Sequence, residues 1–283
     1  MKSVVVTGAS TGIGRASALA LDRKGFRVFA GIRKEADGEA LREVASDALT
    51  PVYIDVSDEE SIAAAAKVVA DEVGNGGLGG LVNNAGTTLP CPVEHLALDD
   101  FRRQLEVNLV GPLAVTKTML PLLVRGHGRV VNVTSAAGKA GVPLMAPYVA
   151  AKHGLEGLSD VLRIEFGQLR VGVSVIEPGF VSTAMRGKLE RDTDEVIRSL
   201  PEEGRSQYAG QLSALAKTVS AHAAQGSEPD VVARSVVHAL TSKRPRTRYP
   251  VGAGARRILV ARAVLPDRLF DRMMLRMSGL ARR

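Results

Sequence analysis

The feature that most narrows the fold is an alternation that runs from Ser3 to about residue 180. Short β-rich runs lie at Ser3–Thr7, Arg27–Ile32, Pro51–Val56, Gly80–Val82, Gly128–Thr134 and Val171–Ile176. Between them come longer stretches with apolar residues at helical spacing: Ile13–Lys24, Ser61–Val73, Phe101–Val124 and Ala151–Leu169. Strands that alternate with helices are joined by right-handed crossovers and build a parallel sheet covered on both faces. The expected fold is therefore α/β: a three-layer, doubly wound parallel sheet in a single domain. Such sheets bind ligands beyond the C-terminal ends of their strands. Chemistry is expected just after each run.

The stretch from Met185 to Pro229 breaks the rhythm. It is polar, with scattered helical stretches, and holds Pro201 and several glycines. A long excursion in a compact domain is usually functional or disordered, and this one is expected to stand over the C-terminal edge of the sheet as a substrate lid. Asp230 to Leu240 reads as a further helix capped by Asp230, and Arg248–Val251 as a last strand. Residues 1–251 then form the catalytic domain, with the lid at about 185–229. Residues 252–283 form a basic amphipathic extension, with helical spacing over Ala255–Val264 and Arg268–Met277.

The net charge is +7, but it is unevenly placed. From Lys243 to Arg283 there are 12 of the 37 Lys/Arg and 2 of the 30 Asp/Glu. The other residues hold 25 basic and 28 acidic groups, so the basicity belongs to the tail. A basic amphipathic tail can lie on an anionic membrane, cover the substrate pocket, or pack on a neighbouring subunit. No stacking aromatics accompany the charges, which argues against nucleic acid. No run of about 18 apolar residues is present, so no spanning helix is expected. Ser3–Thr7 enters the first strand with no apolar signal region before it. Cys91 is the single cysteine and has no internal disulfide partner. A cytoplasmic setting is the default for such a chain, with peripheral membrane contact through the tail as the alternative. Cys91 sits between two prolines without an obvious catalytic His, and no metal site is expected.

Thr7-Gly8-Ala9-Ser10-Thr11-Gly12-Ile13-Gly14 follows the first strand and opens the first helix. Glycines there let the backbone turn tightly and approach a pyrophosphate, and the helix N-terminus offers free N–H groups and positive potential. This is the phosphate site of a Rossmann fold. A carboxylate after the second strand selects NAD through the ribose 2′-hydroxyl. Here that place reads Gly31-Ile32-Arg33-Lys34. The Arg33 guanidinium suits the 2′-phosphate of NADP, so NADP is expected ahead of NAD.

Tyr148-Val149-Ala150-Ala151-Lys152 puts a phenol and an ammonium one helical turn apart on one face. A free tyrosine has a pKa near 10, too high for acid–base work at neutral pH. A neighbouring lysine cation favours the phenolate and lowers that value. Ser135 ends the fifth strand, where its hydroxyl can donate to a substrate oxygen. The pair alone is also what an amphipathic helix with a snorkelling lysine would show.

The ordered set is more specific. The Thr7–Gly14 loop, Asp55-Val56, Asn83-Asn84-Ala85-Gly86, Asn108, Ser135, Tyr148-x-x-x-Lys152 and Pro178-Gly179 resemble the short-chain dehydrogenase/reductase superfamily, in its shorter oxidoreductase branch. The resemblance runs firmly from Ser3 to Thr183. It implies that Tyr148 gives or takes the proton on the substrate oxygen, that Lys152 lowers the tyrosine pKa and holds the nicotinamide ribose, and that Ser135 orients the carbonyl. Asn108 resembles the asparagine that carries a water toward the lysine. Cofactor contacts are implied for Gly8, Ser10, Thr11, Gly12, Ile13 and Gly14, for Arg33, Asp55 and Val56, and for Asn84, Ala85 and Gly86. On the nicotinamide side they are implied for Pro178, Gly179, Val181 and Thr183. The cofactor supplies the hydride, while the protein supplies position and electrostatics.

Arg33, Val175–Phe180 and Arg244–Tyr249 are similar to retinol and hydroxysteroid dehydrogenases, which implies a hydrophobic alcohol or carbonyl substrate. Leu89, Val142, Leu144, Met145 and Met185 are candidate apolar walls. The resemblance also implies a homodimer or homotetramer built on the helices at Phe101–Val124 and Ala151–Leu169. Two other readings use the same scaffold. A sugar-nucleotide epimerase or dehydratase shares the Tyr/Lys pair, but its loop usually reads Thr-Gly-x-x-Gly-x-x-Gly, which is not matched here. A non-enzymatic NADP-binding regulator is opposed by the intact Ser135, Tyr148 and Lys152.

Overall fold

A computed structural model describes residues 1–183 and 185–280, without the side chains of Met185 and Arg186. The strands are β1 (Ser3–Val6), β2 (Arg27–Ile32), β3 (Leu49–Tyr53), β4 (Gly80–Asn83), β5 (Arg129–Val133), β6 (Gly172–Pro178) and β7 (Arg248–Val251). They form one sheet in the order β3-β2-β1-β4-β5-β6-β7, and every neighbouring pair is parallel. The helices are α1 (Gly12–Arg23), α2 (Glu35–Arg42), α3 (Glu59–Val73), α4 (Leu98–Leu105), α5 (Gly111–Arg125), α6 (Ala146–Gln168), α7 (Met185–Ser199), α8 (Glu202–Ala224), α9 (Pro229–Thr241), α10 (Ala255–Val264) and α11 (Asp267–Met277).

Side chains alternate across the sheet, as strand geometry requires. Val4, Val6, Val28 and Ala30 pack on one face with Ala18 and Leu21 of α1 and Val232, Val236 and Leu240 of α9. Val5, Phe29 and Leu81 pack on the other face with Ile62 and Val69 of α3, Val115 and Met119 of α5, and Leu162 and Phe166 of α6. Both faces are dry, so the strands read as apolar runs. Strand order reverses direction between β1 and β4. That is the switch point where a crevice opens at the strand C-termini.

The structure departs from the sequence reading in several places. β3 begins at Leu49 rather than Pro51 and ends at Tyr53. β3 is an edge strand, where Pro51 loses no ladder bond. Beyond it the chain turns, with the Asp55 carboxylate accepting from Ser57 N at 3.0 Å. The unforeseen α2 is eight residues long and polar, and Gly38 lets it press onto Ile32 and Pro51. Asp230 does not cap α9. Glu228 stands at the N-cap without a side-chain bond, and Asp230 lies in the first turn, where its charge favours the helix dipole.

The long helix read over Phe101–Val124 runs as α4, a π turn at Glu106–Val110, and α5. Against the expectation of no spanning helix, Leu98–Arg125 is long and apolar enough to cross a membrane by length and composition. Its apolar side chains include Val115, Met119 and Leu123, which are buried in the sheet core; core packing accounts for their character.

Within residues 185–229 the helical spacing of the sequence is gathered into two helices, α7 and α8. Leu189 of α7 and Leu215 of α8 close over Met145, with Val142, Leu144, Tyr148 and Val149 alongside. Tyr208 Oη of α8 donates to Glu94 at 2.7 Å. The tail folds back as well. Ile258, Phe270 and Met274 bury against Ala136 and Ala140, with Phe180 beside them. Arg282 and Arg283 of the basic tail lie outside the described residues.

Candidate active site

The first β-to-α turn is built on glycine. Gly8 and Gly12 have φ of 62° and 55°, a region that side-chain-bearing residues avoid. A Cβ on Gly14 would lie 2.1 Å from Gly8 O and 2.4 Å from Asn84 Nδ2. The loop is thus a shallow cradle over the N-terminus of α1. The loop leads into the N-terminus of α1, whose first N–H groups have no side-chain cap, a setting that fits a pyrophosphate. Thr11 is the N-cap and makes no side-chain bond. Ser10 lies beside it half-buried, and Ile13 packs into the core. Thr183 stands over Gly12, 3.1 Å from a Cβ placed there.

The cradle is braced from β4. Thr7 Oγ1 accepts from Asn84 N at 3.0 Å and Ala85 N at 3.1 Å. Asn84 Nδ2 donates to Thr7 O at 3.0 Å and Gly8 O at 3.1 Å. Asn84 therefore spends its amide on the loop itself. Gly86 opens the floor: a Cβ there would sit 2.8 Å from Asn108 Oδ1 and 3.7 Å from Lys152 Nζ.

Arg33 follows β2 directly, its side chain 70% exposed and 3.9 Å from Asp55. Burial pushes the Asp55 carboxyl up, but hydrogen bonds from Ser57 and the Arg33 charge outweigh it and hold the group low. An exposed guanidinium and an ionised carboxylate thus stand together where the adenosine end of a dinucleotide would lie. Val56 is buried against Gly111, so only its backbone can line the crevice.

Tyr148 and Lys152 lie in the first two turns of α6, and Ser135 stands at the end of β5. Lys152 is 4% exposed. Its Nζ lies 5.8 Å from the Tyr148 ring centroid and donates to Val133 O at 3.1 Å. Burial pulls the lysine down to about 8. Burial also pushes the Tyr148 phenol above its ordinary value, and a hydrogen bond with Ser135 opposes that rise. The expected lowering of Tyr148 by Lys152 is thus not what dominates here. Asn108 is fully buried in the π turn. Its Nδ2 donates to Thr87 O at 2.9 Å and Gln104 O at 3.0 Å, and its Oδ1 accepts from Thr87 N at 3.2 Å. The side chain is satisfied by its neighbours and fixes the loop that carries Gly86.

Pro178 and Gly179 end β6. Gly179 N donates to Val251 O at 2.9 Å, and a Cβ on Gly179 would lie 2.1 Å from Ala253 O. Val181 pairs with Ser227 across an isolated bridge. Of the candidate walls, Val142, Leu144 and Met145 gather beside Tyr148. Leu89 is half-buried and joins no core cluster among the described residues. The Met185 side chain lies outside the described residues. Cys91 is buried and burial pushes its thiol up to about 11, which makes it inert at neutral pH.

The sequence reading missed Glu156, Thr134, Lys139 and Glu177, which join Arg248 in an ionic cluster below Ser135. The one signal was Glu156 itself, a carboxylate one turn after Lys152 on an otherwise buried helix face.

The family model for short chain dehydrogenase matches residues 2–194. Retinol dehydrogenase 5 of Homo sapiens is 38% identical over 277 residues, covering 96% of this chain and 87% of that protein. The human 17-beta-hydroxysteroid dehydrogenase type 6 is 37% identical, over 97% of this chain and 88% of that one. Among solved structures, a short chain dehydrogenase from Burkholderia cenocepacia in complex with NADP superposes with a TM-score of 0.72. It is 26% identical and covers 97% of this chain and 99% of that one.

Proposed function

This chain belongs to the short-chain dehydrogenase family, an oxidoreductase family that uses NAD(P), and from that premise we propose that Tyr148 handles the proton in a reaction on a hydrophobic alcohol or its carbonyl. The single observation that carries this is the grouping of Ser135 and Lys152 about Tyr148, which itself packs on the apolar cluster of Met145, Leu189 and Leu215.

NAD(P) supplies the hydride acceptor or donor. The Gly8–Gly14 cradle and the α1 N-terminus would hold its pyrophosphate, and Arg33 a 2′-phosphate, which favours NADP over NAD. The Ser135 and Tyr148 hydroxyls would share the substrate oxygen between them. In oxidation Tyr148 takes the hydroxyl proton as the C–H hydride leaves. In reduction it returns a proton to the oxygen that becomes the alcohol. The buried Lys152 ammonium stabilises the phenolate form during that exchange. Leu189 and Leu215 exclude water, which strengthens these electrostatics. Asn108 would act by fixing the Gly86–Thr87 loop.

The relatives' names point to retinol and 17β-hydroxysteroids, and the apolar walls suit either. The α7–α8 pair serves as the lid of the 1–251 catalytic unit, and the extension from residue 252 closes its side. We place the enzyme in the cytoplasm with its tail resting on anionic membrane: exposed Val260, Val264 and Leu269 alternate with exposed Arg256, Arg257, Arg268 and Arg272. Exposed Val161 and Ile164 on α6 suit a second copy of the chain. The test is a screen of all-trans-retinol, 17β-estradiol and simple aliphatic alcohols with NADP and NAD, read at the reduced nicotinamide absorbance. Turnover of the aliphatic alcohols alone would sink the hydrophobic-substrate reading.

A further inference from the structure

An ionic cluster centred on the buried Glu156 lies beneath the catalytic turn, and the proton chemistry gives it no part. Glu156 stands one helical turn after Lys152 and is 1% exposed. Its Oε1 accepts a 2.5 Å hydrogen bond from Thr134 Oγ1, on the residue just before Ser135. Its Oε2 meets Lys139 Nζ at 3.3 Å, four residues after Ser135. The same oxygen is paired with the Arg248 guanidinium of β7. Arg248 forks onto both oxygens of Asp160 at 2.8 Å and reaches Glu177 at 3.4 Å. Arg163 also pairs with Asp160, so three carboxylates face three cations.

The Ala136–Gly138 turn is pressed onto the same stretch of α6. A Cβ on Gly138 would lie 2.9 Å from Glu156 Cγ and 3.1 Å from Lys152 O. Burying ions is a poor way to gain stability, because desolvation offsets the attraction. What the cluster does hold is geometry. Glu156 grips the chain on both flanks of Ser135, from the helix that carries Tyr148 and Lys152. Arg248 holds Glu156 in turn, and it anchors β7, the strand that leads into the tail.

We propose that Glu156, held by Arg248, is a positioning residue that fixes the Ser135 hydroxyl against Tyr148 by gripping Thr134 and Lys139. This rests on the reading of Ser135 and Tyr148 as the groups that meet the substrate oxygen.

The chain has four tyrosines and no tryptophan, so tyrosinate absorbance can be followed by alkaline titration of the full-length protein. Subtracting the titration of Tyr148→Phe isolates Tyr148. Ser135→Ala sets the effect of losing the contact, an upward move of the Tyr148 midpoint. Thr134→Val and Glu156→Gln are expected to move it upward by about half that amount or more, since each loosens Ser135 without deleting it. Thr134→Ser, which keeps the donor, is expected to hold the wild-type midpoint. NADPH affinity, read by nicotinamide fluorescence, should stay within about twofold in all of them. Thr134→Val keeps the side-chain shape and carries the test if Glu156→Gln does not fold. If Ser135→Ala moves the midpoint and the other two do not, the positioning role is overturned while the catalytic reading stands. If Ser135→Ala leaves it unmoved, the Ser135–Tyr148 contact is absent and both readings fall.

Discussion

Lys152 Nζ lies 5.8 Å from the centre of the Tyr148 ring and donates to the Val133 carbonyl at 3.1 Å. The ammonium is enclosed with one backbone acceptor and no carboxylate within salt-bridge reach among the described residues. Burial lowers its pKa from 10.5 to about 8. Between those values the unfolded chain binds the proton more tightly than the folded one, so stability rises with pH across that window. Below about pH 8 the folded protein carries the full penalty. Lys152→Met removes it. The variant should melt higher than wild type at pH 7, by on the order of 3 kcal/mol at most, and the gap should close toward pH 10. Equal melting temperatures at pH 7 would show that the lysine charge costs nothing here.

The Tyr148 phenol is held above its ordinary pKa by burial, against the Ser135 hydrogen bond. At neutral pH it is therefore protonated, ready to donate in reduction and unready to accept in oxidation. Alcohol oxidation should rise with pH by up to about tenfold per unit, while carbonyl reduction stays level. Tyr148→Phe should lose about 10²- to 10⁴-fold in kcat and keep NADPH binding. Steady-state rates in both directions across pH 6 to roughly 9.5 check this. Full activity in Tyr148→Phe would end the mechanism.

Much of this was legible from residue order alone. β2 falls where the alternation puts it, because apolar residues buried on both faces leave a clear run; β7 keeps its expected bounds although only Tyr249 of its four residues is buried. The phosphate turn and the Tyr148/Lys152 pair are local, and local spacing survives folding. α2 was hidden because its packing depends on the absent side chain of Gly38, which leaves no apolar stripe. The Glu156–Arg248 pairing spans 92 residues, and no spacing rule brings a β7 arginine to the catalytic turn. The same holds for the sign of the Tyr148 shift. Sequence shows the lysine but not the burial that outweighs it.

Arg33 reaches solvent at the end of β2, with Asp55 3.9 Å away. A charge-assisted hydrogen bond to a 2′-phosphate contributes about 1.5–3 kcal/mol. Arg33→Ala should then weaken NADPH binding roughly 10- to 100-fold and leave NADH nearly unchanged. Fluorescence titration with both reduced cofactors separates the cases. Equal losses would mean that Arg33 steadies the Asp55 turn and does not read the phosphate.

Gly14 has no room for a methyl group. A Cβ would meet Gly8 O at 2.1 Å and Asn84 Nδ2 at 2.4 Å, and both atoms belong to the brace of the cradle. Gly14→Ala must push the loop off β4. NADPH binding should be lost, with a lower melting temperature. Gly157→Ala, at a helical position with open space around it, is the control: it should leave NADPH binding unchanged and, by helix propensity, should not lower the melting temperature. Tight NADPH binding by Gly14→Ala would mean that the cradle is not the pyrophosphate site.

The tail divides into two faces. Ile258, Phe270 and Met274 are buried on Ala136 and Ala140, while Arg256, Arg257, Arg268 and Arg272 are exposed. Cutting the chain after Val251 would strip the buried face and lose several kcal/mol of apolar burial, so it cannot separate membrane contact from folding. Replacing the four arginines with glutamine leaves the buried face intact. Each basic residue near an anionic surface contributes about 1 kcal/mol. The quadruple variant should therefore bind phosphatidylserine vesicles up to about a thousandfold more weakly than wild type, with an unchanged melting temperature. Wild-type binding should also fall as salt is raised, because the attraction is screened. Co-sedimentation with vesicles of graded phosphatidylserine content measures the two binding effects, and thermal melting of the unbound protein the third. Wild-type protein that stays in the supernatant at every composition would leave the arginines as solvated charge, and the tail as cover for the catalytic turn alone.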